Sequence, residues 1–406
     1  MRKIIKFVCC LFLLSCVNFY SPQFLPFAIE EQMAKSITYS LYLLLFVLCI
    51  SNRGWHENNT YSFCFKMILW SMPFSVIMAS TQHAPQSLGV SIIAVLPYFI
   101  SYSSFFLLKK TKLSVSDLER IMLIIGLVNI ILTFQLWALL PNQLFGSIRS
   151  EEDGRGTRIG IDGDIFKTFF LFYSLYRYKT NKKKTWLLAV IICFITVFIS
   201  LTRQVMLISS VLAVLYYMKG IKLYKKIVAI AVVLASLFVI AQLPYFRDLI
   251  EVSERQQERE ANGNENIRIT ATRYYIDEAQ VNALTRIFGN GCYSYGNSAY
   301  GRVAYRQQYM TLCFPSDVGL VSIYYLFGVL AIIGMGLIII KTVRIKIPER
   351  YEYMEYVIYY IMLASIASGP VLYSSQNIVL VVTCYLLGKV NYYGKEDRSN
   401  YIKLQQ

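Results

Sequence analysis

Apolar residues fall into long runs separated by short polar connections, where a soluble core would give runs of about 4 to 12 residues. Segments near 4–20, 36–50, 66–80, 87–108, 120–140, 165–178, 185–200, 205–218, 227–243, 318–340, 354–371 and 376–388 predict about twelve transmembrane helices. Several are short for a hydrocarbon core of about 30 Å, so their ends extend into flanking Tyr, Ser and Lys. The pattern is that of an all-α polytopic membrane protein. Two longer polar stretches interrupt it, residues 141–164 between the fifth and sixth spans and residues 244–317 between the ninth and tenth. The chain thus divides into residues 1–243 with nine spans and the small loop, the large loop 244–317, and residues 318–406 with three spans and a basic tail.

Within the large loop, LPYFRDLIEVSERQQERE reads as a partly amphipathic helix that ANGNEN breaks. IRITATRYYIDEAQVNALTRIF then predicts a second helix, with Ile269, Tyr275, Ile276, Ala279, Ala283 and Ile287 along one side, suited to lying on the membrane or across the span ends. A Gly- and Tyr-rich segment with Arg302 and Arg306 follows. Its tyrosines suit either sugar stacking or an aromatic belt at the interface.

Composition sharpens this picture. With 56% apolar and 16% charged residues and a mean hydropathy of +0.47, the chain has too little charge to cover a separate soluble domain of ordinary size. Lysines sort by side: MRKIIK, KKTK, RYKTNKKK, KGIKLYKK, KTVRIK and the basic tail fall on alternate connections, which places both termini in the cytoplasm. Of 21 lysines only Lys35 and Lys167 lie on the outer side. The net charge of +16 is therefore mostly topology, and no nucleic-acid partner is needed to explain it.

The outer basic residues are arginines: 149, 155, 158, 203, 247, 255, 259, 268, 273, 286, 302 and 306. A planar guanidinium grips two oxygens at once, which suits phosphate or carboxylate ligands. Pairing with Glu251, Glu254, Glu258, Glu260, Asp277 and Glu278 is the plainer use of the same residues.

Other chemistry is thin. MRKIIK with VCCLFLLSC resembles a secretory signal, but eleven further spans make an uncleaved anchor the simpler account. Most of the nine cysteines lie in or beside spans. Cys292 and Cys313 share the large loop and are either a disulfide or two small apolar side chains. With only His56 and His83, no His or Cys spacing suggests a metal site. No Walker-type loop is present, and no cofactor is predicted. Many transporters share a twelve-span layout built from two repeated halves, but the dominant loop has no counterpart six spans earlier.

In its many spans, its late dominant loop, SLTRQ around Arg203, and Arg273-Tyr274 followed by IFGNG and FPSDVGLVSIYYLFGVLAIIG, the chain resembles the bacterial O-antigen polymerase and O-antigen ligase superfamily. Arg149 to Gly160 and Arg273 to Gly289 also match the Arg-to-Gly spacing some of these polymerases carry in the same two loops. The resemblance implies a membrane glycosyltransferase of the inner membrane, surrounded by membrane lipids and acting on polyprenyl-diphosphate-linked oligosaccharide, with a chain-length regulator and a flippase as pathway partners.

On that reading Arg203 and Arg273 grip the donor diphosphate without a metal, because leaving-group charge grows as the glycosidic bond breaks. Arg149, Arg158, Arg286, Arg302 and Tyr274 contact substrate. Asp317 is the candidate general base, unless it serves only as the N-cap of the following helix. His83 faces the same cavity or is an interface residue. The ligases carry a His near the equivalent re-entry, where this chain has Pro315, Ser316 and Asp317. A repeat-unit polymerase is the leading expectation, with a ligase or a lipid-linked-saccharide flippase as alternatives.

Overall fold

A computed structural model describes residues 2–20, 31–50, 59–81, 84–139, 145, 147–150, 157–199, 203–220, 266–294, 298–366 and 368–405. The predicted ninth span, the first loop helix, Arg155, Arg247, Arg255, Arg259, His56 and His83 lie outside them. The helices are α1 Arg2–Ser15, α2 Glu31–Cys49, α3 Ser62–Ser80, α4 Leu88–Thr111, α5 Val115–Ala138, α6 Asp164–Asn181, α7 Lys184–Ile199 and α8 Arg203–Met218. In the loop follow α9 Ile267–Arg273, α10 Ala283–Phe288 and α11 Ala299–Thr311, and then α12 Gly319–Arg344, α13 Tyr353–Ala364 and α14 Ser374–Gln405. A short antiparallel hairpin, β1 Ser147–Ser150 and β2 Thr157–Gly160, lies between α5 and α6.

Among the described residues four helices, α3, α4, α5 and α12, are long and apolar enough to cross a membrane, and α2, α7 and α8 contain shorter apolar helical stretches. Helices hydrophobic all round are what a segment facing both lipid and protein requires. α14 is the most enclosed: every residue from Ile378 to Leu387 is buried, the polar Thr383 included. Lipid gives helices no hydrophobic reason to associate, so close packing must hold them together, and small residues permit it. At Gly126 of α5 a Cβ would strike the Phe166 carbonyl of α6, and at Gly334 of α12 it would press on Ile68 of α3.

The described helices have two ends with different side chains. At one end, Arg2 and Lys6 reach Asp117 at 3.2 and 2.7 Å, Lys219 reaches Glu352 at 3.2 Å, Lys341 donates to the Thr60 carbonyl and Lys389 to that of Leu113. The other end carries the hairpin and the described half of the large loop.

Two expectations change. The helix predicted across 267–288 is split: α9 passes into a wider turn closed by Ala279 N–H to Tyr274 O (2.8 Å), and Asn282 starts α10 with a capping box to Thr285. Its stripe does not face inward as a whole, since Ile269, Ile276 and Ile287 are exposed and Ala271, Tyr275 and Thr285 are the buried positions. The continuous apolar run after Asp317 is also broken, at Gly328 (φ 73°, ψ −167°), a backbone conformation that glycine alone adopts readily.

Candidate functional site

The loop is fastened to the bundle through that break. Unwinding at Gly328 frees two carbonyls of α12, and the Gly289-Asn290-Gly291 turn takes them: Asn290 N–H donates to Tyr325 O (2.7 Å) and Gly291 N–H to Leu326 O (3.0 Å). Both turn glycines have positive φ, and the backbones approach so closely that a Cβ on Gly289 would strike Leu326 O and one on Gly291 would strike Ser75 O. Phe288 stacks on Phe74 of α3 at 4.9 Å between ring centroids. Buried Gln86, between α3 and α4, adds a second tether by donating to Cys292 O (2.9 Å) and accepting from Ser294 N–H (2.9 Å) and Ser298 Oγ (2.7 Å).

With the loop so held, Asp317 lies at the end of the turn Pro315–Asp317 that leads into α12. It is not the helix cap. Val318 holds that position without a side-chain bond, and the first N–H groups of α12 are taken by main-chain carbonyls, Gly319 by Ser368 (3.0 Å) and Leu320 by Ser365 (2.8 Å). The Asp317 carboxyl is half-buried; desolvation holds its pKa above the usual carboxylate range, against the opposing pull of the Arg268 guanidinium.

The connection that caps α12 also receives α8. Gln204 Nε2 donates to Ala364 O at 2.8 Å, so the head of α8, which begins at Arg203, docks on the end of α13 where the 364–369 connection starts. The head of α8, through Gln204, and the head of α12, just after Asp317, are thus both tied to the end of α13 and the residues that follow it.

α9 closes the region. Tyr275 donates to Cys313 O (2.8 Å) and packs on Tyr325 with ring centroids 4.9 Å apart, while Tyr274 donates to Gln307 Oε1 (3.3 Å). Arg268 on α9 lies near enough for its charge to act on Asp317. Arg273 lies five residues on, roughly 140° further round a regular helix, and is exposed. Sequence reasoning chose Arg273 for its place beside Tyr274 and passed over Arg268, whose partnership with Asp317 is non-local.

The other candidates are more dispersed. Arg286 on α10 and Arg302 on α11 are exposed, and α11 turns Tyr300, Ala304 and Gln308 toward the bundle. Arg149 and Arg158 are direct partners in the β1–β2 register. The hairpin's exit is pinned where Asp162 accepts from Asn18 (2.8 Å) and, through its main-chain carbonyl, from Asn129 (3.0 Å). Cys292 and Cys313 are both buried free thiols.

No protein-family model matches the chain, and no curated protein matches its sequence.

Proposed function

We propose that this protein is a repeat-unit polymerase of the bacterial inner membrane, with twelve spans, both termini cytoplasmic, and the hairpin and large loop in the periplasm. It transfers a glycan from its polyprenyl diphosphate carrier to a hydroxyl of the next lipid-linked unit. The observation that carries the reading is Asp317 itself: a half-buried carboxyl within the field of Arg268, free of any capping duty, beside the connection after α13 on which α8 docks through Gln204.

The chemistry follows from these groups. The acceptor hydroxyl oxygen attacks the anomeric carbon of the donor, and Asp317 accepts its proton. The bond from that carbon to the diphosphate oxygen breaks, and the electron pair leaves with the polyprenyl diphosphate. Arg203 and Arg273 stabilise the charge that grows there, while Arg149, Arg158, Arg286, Arg302 and Tyr274 hold the saccharides. A general base of this kind contributes roughly 10² to 10⁴ in rate.

Transport is the competing class, and a pathway across the bilayer would need ionisable groups in its middle. Among the described residues the buried ones lie toward the ends of the bundle instead: Lys109, Lys110, Glu119 and Glu355 near helix ends on the lysine-rich side, Lys389 beside them where it donates to Leu113 O, and Lys167 at the other end.

The test is the glycan banding pattern of a deletion strain complemented with wild type, Arg203→Ala or Asp317→Asn, with membrane levels of each verified. Only wild type should restore a long ladder, and the variants should leave single units on the final acceptor. Long chains stranded on the carrier lipid would indicate a ligase. An intact ladder in the deletion strain, or units retained on the cytoplasmic face, would sink the polymerase reading.

A further inference from the structure

Lys167 breaks the lysine pattern of the chain and is not used by the site above. It sits one turn into α6, 3% exposed, with Nζ 2.9 Å from Asp164 Oδ1, while the Asp164 side chain stays 37% exposed. Neighbouring helices surround the pair with polar groups. Tyr360 of α13 lies near Asp164 and Thr168 of α6 and near Ser209 of α8, whose hydroxyl is buried with no hydrogen-bond partner among the described residues, and Cys193 of α7 lies near Lys167. Four residues beyond Tyr360, on the same face of α13, Ala364 accepts from Gln204 Nε2. The other end of that amide, Gln204 Oε1, is buried and takes no donor among the described residues. One polar cluster therefore runs from Lys167 across Tyr360 to Gln204, the neighbour of Arg203.

As pure structure this cluster makes little sense. A buried ammonium carries a desolvation penalty that a single pairing with a half-exposed carboxylate does not recover, and an apolar side chain of similar size would serve stability as well or better. Ionisable groups buried in membrane bundles mark ligand sites, and a buried carbonyl oxygen without a donor calls for a partner. We infer that Lys167 and Gln204 form a subsite for the sugar diphosphate of the lipid-linked donor. The Lys167 ammonium binds a phosphate oxygen in exchange for Asp164, and Gln204 Oε1 accepts a sugar hydroxyl. The inference rests on the glycosyl-transfer reading above, and it adds to Arg203 and Arg273 a third cation for the diphosphate, on α6.

The experiment measures binding of polyprenyl diphosphate to the full-length protein in nanodiscs, alongside the ladder assay. Lys167→Met should weaken binding at least about tenfold, as loss of one charge-assisted hydrogen bond does, with a melting temperature equal to or above wild type. Lys167→Arg should retain most binding, and exposed Lys184→Met should bind as wild type. Inorganic diphosphate should compete; equal competition by phosphatidylglycerol would make this a phospholipid headgroup site and overturn the inference. Should Lys167→Met not reach the membrane, Lys167→Gln carries the same comparison. Wild-type binding by the neutral variant refutes the subsite while a wild-type-dependent ladder keeps the polymerase reading. No binding by wild type itself, with an intact ladder in the deletion strain, removes both.

Discussion

Asn290 donates its main-chain N–H to the carbonyl of Tyr325 at 2.7 Å, so that the large loop completes the hydrogen bonding of a membrane helix broken at Gly328. A broken span leaves polar backbone that lipid cannot satisfy, so helix and loop depend on each other. The break positions the loop, and the loop makes the break tolerable.

Gly328→Ala tests that dependence. Its φ of 73° with ψ near −167° strains any residue with a Cβ, and the added methyl would meet the Ile287 carbonyl. The expected loss is about 1–3 kcal/mol from backbone strain, seen as a lower melting temperature in detergent and a shortened or absent ladder. Gly336→Ala, where no atom lies within 4 Å, is the control and should be silent on both.

Asp317→Asn separates a base from a structural residue. Asn is as good a helix cap as Asp, and the head of α12 is held by Ser365 and Ser368 in any case. Transfer should therefore fall by roughly 10² to 10⁴ with membrane level and melting temperature unchanged. Retained activity would return Asp317 to a passive role.

Burial and Arg268 act in opposite directions on Asp317. A base acts when deprotonated, so the rate should rise with pH through the Asp317 pKa, which burial holds above the ordinary carboxylate range. Arg268 opposes that shift by stabilising the carboxylate. Arg268→Ala should move the acid limb of the pH–rate profile to higher pH, and Arg268→Lys should move it less. A profile that does not move would mean that another group supplies the limb.

How far the sequence revealed this arrangement depended on the range of the interactions. Apolar runs located α3, α4, α5 and α12 because burial in lipid acts on each segment separately. The split at Asn282 was written locally, in a capping box within a longer amphipathic pattern. The break at Gly328 was not legible, because YYLFGVLAIIG is uniformly apolar and only the docked Gly289–Gly291 turn makes unwinding favourable there. Asp317 was recognisable as a candidate, whereas its release from capping depends on Ser365 and Ser368, some fifty residues away. Lys167 stood out as an exception to the lysine pattern, but its burial arises from the tertiary packing of α6, which no local pattern shows.

Arg149 and Arg158 occupy paired positions in the hairpin register, and like charges at such positions disfavour the pairing by roughly 0.2–1 kcal/mol unless an anion is bound between them. Binding of donor to such a pair should be non-additive. Arg149→Gln and Arg158→Gln should each weaken donor use, and the double variant should lose little more than either alone. Strictly additive losses would assign the two arginines to separate contacts.

Gln86 offers a test of how the loop is held, because it reaches the loop without belonging to it. The residue is 2% exposed, and its amide meets Cys292 O, Ser294 N–H and Ser298 Oγ of the loop and Ser91 Oγ of α4 (3.1 Å). Ser298 Oγ in turn accepts from Gly301 N–H at 2.8 Å, which ties the head of α11 to the same amide. Gln86→Leu fills a similar volume but leaves these buried groups unpaired, at a cost of about 1–3 kcal/mol for each one that water cannot reach. Amide hydrogen exchange should therefore quicken at Ser294 and Gly301, while Asn290 and Gly291, held by α12, stay protected. Gln86→Glu keeps the acceptor for Ser294 and Ser298 and loses the donor to Cys292 O and Ser91 Oγ, so its exchange should fall between leucine and wild type. Equal exchange in all three proteins would mean that the Gly289–Gly291 turn fastens the loop alone; faster exchange across both segments would mean that the two tethers form one cooperative unit.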